Sequence, residues 1–237
     1  MHPRAAFRIS FAAGLLVLAV TLLSTAQPVR PCGNLPQNYA PIIAFELARS
    51  PADLDAIFGT QEPCRSEVVA RLDAVNLMDV LVYIPAYAVF MAFFFLGMRS
   101  RHASLGTLGL RIAILAALGD YAENACLMSL TPQLDPSSTW FTLLPWATGI
   151  KWLGLGAAAA IAAVIYMKTS RARLWNYFAA LLCFAAFLST VEAILMPARF
   201  GARVGLGVAL SWVAYLITAG TAAFRPVSGT AEPGGAG

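Results

Sequence analysis

The sequence predicts an all-α integral membrane protein: a bundle of six transmembrane helices, or five if the first apolar segment is a cleaved signal, with one long disulfide-tied loop outside. Three observations carry this. Of 237 residues, 59% are hydrophobic and only 12% charged, too little polar surface for a water-soluble fold of this size. The apolar residues gather into runs of about twenty or more, enough to cross ~30 Å of hydrocarbon at ~1.5 Å per residue. If the six runs alternate across a membrane, Arg4, Arg8, Arg99, Arg101, Lys168, Arg171, Arg173 and Arg225 fall on one side, which the positive-inside rule makes cytoplasmic; Arg199 and Arg203 in the last outside turn, and four arginines among six acids in the first loop, stand against it.

Residues 1–6 form a short amino-terminal segment, and residues 7–26 a first apolar run preceded by Arg4 and containing Arg8. Small residues Ser24, Thr25 and Ala26 at its end also fit a signal-peptide cleavage site. Residues 27–75 turn polar and are punctuated by six prolines, which reads as an extracytoplasmic loop. Within it, Ser50-Pro51-Ala52-Asp53 has the order of an N-cap, a first-turn proline and an acidic third residue, ahead of Leu54, Ile57 and Phe58, and predicts a short amphipathic helix. Cys32 and Cys64 are the two cysteines outside the apolar runs, and an oxidising compartment joins such a pair.

The remaining five spans make a core over residues 76–224. Helix two is expected from Asn76 to Gly97, with Asn76, Asp79, Tyr83 and Tyr87 as a polar stripe and Pro85 as the point of a kink. Helix three follows over Leu105–Leu130, helix four over Trp140–Met167, helix five over Leu174–Met196 and helix six over Val204–Phe224. The tail, residues 225–237, is rich in Pro and Gly and expected to be disordered.

Asp120, Glu123 and Asn124 stand at i, i+3 and i+4 in helix three and so share one face. A charge at bilayer depth costs at least ~2.5–3.5 kcal/mol on insertion scales, so it turns inward and takes a partner. Counting residues from the outer ends of the spans puts Asp120 and Lys151 at matching depth, with Asp79 and Glu192 nearer the surface on the same side. The candidate polar cavity, in the outer half of the bilayer, comprises Asp79, Tyr83, Tyr87, Asp120, Tyr121, Glu123, Asn124, Lys151 and Glu192. Its four carboxylates outnumber the one lysine in their layer, an arrangement that favours a carboxyl group able to carry a proton.

Only His2 and His102 are present, one terminal and one in a turn, so no histidine-based metal or haem site is expected in the membrane and no cofactor is assigned. The scattered basic residues do not form a nucleic-acid surface. Fourteen arginines against two lysines suggest a GC-rich bacterial source and hence a bacterial inner membrane, with both termini cytoplasmic. The expected partners are the lipid bilayer and a small amphipathic or lipidic ligand. The expected function is a proton-linked carrier or receptor for that ligand, or alternatively an intramembrane enzyme of lipid or isoprenoid chemistry using carboxylate acid/base catalysis, or a structural scaffold.

Overall fold

The structure is a computed structural model that describes residues 1–26, 28–169 and 173–225, with the backbone alone at Arg173. The expected disordered tail beyond Arg225 lies outside the described residues, as does Arg171 of the basic turn after helix four. Among the described residues the chain is helical, with six stretches long and apolar enough to cross a membrane.

The first span is α1 (Pro3–Thr25). Between it and the second come α2 (Pro41–Glu46) and α3 (Pro51–Phe58). Helix α3 begins as its sequence requires: Ser50 and Asp53 form a reciprocal capping box, and Pro51 occupies the first turn, where its missing N–H costs nothing. The second span joins α4 (Cys64–Met78), a π-helical turn (Asp79–Tyr83) and α5 (Ile84–Met98) into one continuous rod. It therefore starts at Cys64 and not at Asn76. Its first turns carry Arg65, Glu67, Arg71 and Asp73, which hide the narrow buried stripe of Val68, Leu72 and Asn76 that makes them helical. The π turn sits immediately before Pro85, where Ile84 N–H reaches back to the Asp79 carbonyl; the widened turn accommodates the proline without breaking the rod.

The other spans are α6 (Ala103–Leu130), α7 (Thr139–Lys168), α8 (Arg173–Leu195) and α10 (Val204–Phe224). A short helix, α9 (Pro197–Phe200), and a 3₁₀ turn (Gly201–Arg203) lead into α10. Each span packs on its neighbours in sequence, and α10 closes back on α1, so the six form a ring in the order α1, α4/α5, α6, α7, α8, α10. Aromatic rings fill its interior: Phe94 stacks on Tyr215 at 4.2 Å between centroids, and Tyr87 on Trp212 at 5.6 Å.

The α6–α7 seam is the tightest point near the charged residues. A Cβ on Gly119 would stand 2.7 Å from Ile150 Cγ2 and 2.8 Å from the backbone nitrogen of Lys151. On α7, Gly154 packs on Ala116 and Gly156 on Thr190, whereas a Cβ on Gly149 meets nothing within 4 Å. Gly119→Ala is accordingly expected to lower stability by ~1–3 kcal/mol through overpacking. Gly149→Ala is expected to leave stability unchanged or raise it, since alanine is the better helix former. Thermal unfolding in detergent compares the two directly.

At one end of the ring, α2, α3 and the start of α4 form a cap. The disulfide Cys32–Cys64 spans 5.9 Å between Cα atoms and ties the two ends of this segment together. The cap has its own core, in which Phe45, Ile57, Phe58 and Leu72 pack on Leu127, Leu130 and Leu144 of α6 and α7.

Candidate functional site

Lys151 lies within ~4 Å of the midpoint of α7, and Asp120 and Glu123 lie ~5 and ~10 Å past the midpoint of α6 toward the cap. Because α6 and α7 run antiparallel through a short turn, these positions meet. Lys151 Nζ donates to Glu123 Oε2 at 2.5 Å and lies 3.0 Å from Asp120 Oδ1. The third carboxylate comes from outside the spans: Glu46 Oε1, at the end of α2, is 3.1 Å from the same nitrogen. Four side chains that water would otherwise solvate are thus 0–6% exposed, with Glu123 fully buried.

Hydrogen bonds extend the cluster in two directions. Trp152 Nε1 donates to Glu46 Oε2 at 3.0 Å, and Thr148 Oγ1 donates to the Glu46 carbonyl at 2.9 Å, so α7 holds α2 by both its acid and its C-terminal backbone. Toward the second span, Tyr87 OH donates to Asp120 Oδ2 at 2.8 Å. Asn124 Nδ2 donates to Asp79 Oδ2 at 3.0 Å and to Asp120 Oδ1 at 3.1 Å. Glu123 Oε1 and Asn124 Oδ1 are buried without a hydrogen-bond partner, giving the cluster unused acceptors.

Of the residues singled out from the sequence, Asp79, Tyr87, Asp120, Glu123, Asn124 and Lys151 come together here. Tyr83 sits beside them on the stripe but pairs with Thr21 of α1, at 3.2 Å between oxygens. Two do not join. Tyr121, one position round from Asp120, turns outward and is 39% exposed. Glu192 is exposed because α8 buries the face of Cys183, Ala186, Thr190 and Ala193, which Glu192 misses by a single residue. Nor does the cluster open outward as a cavity, since α2 covers it and Glu46 itself is 4% exposed.

Glu46 is the functional candidate that the sequence left unassigned. Its signal is a lone acid inside the apolar run Pro41-Ile42-Ile43-Ala44-Phe45-Glu46-Leu47-Ala48, too short to span but too apolar for an open loop. Burial pushes its carboxyl above the usual glutamate range, and the charge of Lys151 pulls it back down. Tyr39, which donates weakly to the Pro197 carbonyl at 3.4 Å, is pushed up to about 12, mainly by burial and then by the charge of Glu46. Among the described residues no group of three or more His, Cys, Asp or Glu side chains is placed to hold a metal ion.

No family model, curated protein or solved structure matches this chain.

Proposed function

We propose that the protein is a proton-linked carrier or receptor for a small amphipathic or lipidic ligand, seated in a bacterial inner membrane with both termini cytoplasmic, and that α2 is the lid over its charged centre. The observation that carries this reading is the position of Glu46. A residue from outside the spans completes the coordination of a lysine buried near mid-membrane, so moving α2 changes the charge balance around Lys151. Glu46, Asp120 and Glu123 surround one lysine and Asp79 joins them through Asn124, so the cluster gathers more carboxylates than cations, an excess that a carried proton would offset. Tyr87 and Trp152 bond the cluster and Trp212 stacks on Tyr87, so an amphipathic molecule admitted by movement of α2 would meet mixed apolar and hydrogen-bonding side chains. Arg99, Arg101 and Lys168, at the end of the ring opposite the cap, support this orientation, against Arg199 and Arg203 and the arginines of the cap.

Acid/base catalysis on a lipid or isoprenoid is the second reading. It draws on the unpaired Glu123 Oε1 beside a lysine-bound partner oxygen. Native mass spectrometry of protein purified gently from its membrane tests both. A bound amphipathic mass other than phospholipid is expected on the wild type and absent from an Asp120→Asn, Lys151→Met double variant of similar thermal stability. Unconverted substrate on Asp120→Asn where the wild type carries a chemically altered mass would favour the enzyme. A wild type free of any bound molecule in several detergents would leave the cluster a packing device and overturn the carrier reading.

A further inference from the structure

A groove of about 550 Å³ runs along α6 and α7 beside the cap, lined by Ile112, Trp146, Gly149 and Leu153 together with Ile194 of α8 and Arg49 from the segment after α2. Along α7 it extends from Pro145 to Ala157, which is ~18 Å of helix, close to the ~15 Å depth of one leaflet's hydrocarbon. Its floor is open because Gly149 has no side chain and even a Cβ there would touch nothing within 4 Å. Trp146, 74% exposed, stands at the cap end, where an amphipathic ring suits the membrane interface.

Arg49 gives this apolar trough a charged head. Its Nη1 caps the end of α2, donating to the Glu46 carbonyl at 3.3 Å and the Ala48 carbonyl at 2.9 Å. Those two bonds use one of its three nitrogens, and no carboxylate lies within 4.0 Å of the guanidinium among the described residues. The planar fork therefore keeps donors for a bidentate acceptor, the geometry that a phosphate offers. Held partly out of water, the group meets such an acceptor with less screening than a surface arginine would.

We propose that this groove binds an anionic phospholipid, with its phosphate on the remaining donors of Arg49 and one acyl chain lying over Gly149 along α7. The site is separate from the Lys151 cluster and stands whether or not that cluster moves protons.

The test uses the full-length protein in detergent, offered equal amounts of phosphatidylglycerol and phosphatidylcholine with identical acyl chains and read by native mass spectrometry. Phosphatidylglycerol is expected to be retained about fivefold over phosphatidylcholine, the factor that ~1 kcal/mol per basic residue near anionic lipid converts to. Arg49→Gln should erase the preference and Arg49→Lys should keep part of it. Because Arg49 also caps α2, Gly149→Leu provides an independent arm: it fills the open floor without touching the cap and should lower retention of both lipids. The Asp120→Asn, Lys151→Met double variant should keep the preference, which separates this site from the charged centre. Equal retention of the two lipids by the wild type, or undiminished retention by Gly149→Leu, would overturn the proposal.

Discussion

Lys151→Met is expected to lower stability by ~3–5 kcal/mol, because it leaves Glu46, Asp120 and Glu123 gathered in a dry site with no cation. Asp120→Asn in the same chain should recover only part of that loss, since two carboxylates remain; adding Glu46→Gln and Glu123→Gln should recover more. A thermal-stability cycle in detergent measures the coupling, and strictly additive single changes would show that Asp120 and Lys151 do not interact. The loss should also depend on pH. Burial raises the Glu46 carboxyl above its unfolded value, so the folded protein binds that proton more tightly than the unfolded chain does. The stability contributed by this proton is then fully present below about pH 4.3, the ordinary glutamate value, and is lost as the pH rises above it. With Lys151 gone, only the Trp152 hydrogen bond still favours the charged Glu46 carboxylate, so the fall should steepen, and Glu46→Gln on the Lys151→Met background should lessen it.

The second large effect belongs to the cap. Breaking Cys32–Cys64, by Cys64→Ser or by reduction, is expected to cost roughly 3–4 kcal/mol on the chain-entropy account of a loop of this length. Cys32→Ser combined with Cys64→Ser should cost no more than either change alone. Hydrogen exchange at residues 41–48 reads the local consequence. Faster exchange in the opened cap would show that the tie keeps α2 in place. Unchanged protection would mean that the Glu46 contacts with Lys151, Trp152 and Thr148 hold it alone. Cys126 and Cys183, both buried and unpaired, should resist maleimide until the protein is unfolded.

Much of this centre was legible from residue order. The i, i+3, i+4 spacing of Asp120, Glu123 and Asn124 put them on one face, and depth counting brought Lys151 to the same level; the buried positions of α6 and the 3.0 Å Asp120–Lys151 pair agree. Depth says nothing about azimuth, however, which is why Glu192 and Tyr121 were grouped with residues they do not meet. Glu46 was hidden for a different reason. Six residues of helix give too little periodicity to see, and the partners that bury it lie about a hundred positions away on α7. The start of α4 was concealed by its charges, which face away from the stripe that docks on the cap core.

The ring order has a consequence for how the molecule is made. Helix α1 lies between α5 and α10, yet of the six spans described α10 leaves the ribosome last. At ~5–20 residues per second, roughly 10–40 s separate the completion of α1 from the arrival of its second neighbour. During that interval Ser10 can find the Phe90 carbonyl, but the face of α1 at Gly14, which packs on both Phe90 and Leu216, stays half covered. Glu46, translated before α6 and α7 exist, cannot reach Lys151 until both have been inserted. Cap closure onto Lys151 therefore cannot precede the insertion of α7, and a nascent chain stalled before α7 would carry Asp120 and Glu123 with no lysine to meet them.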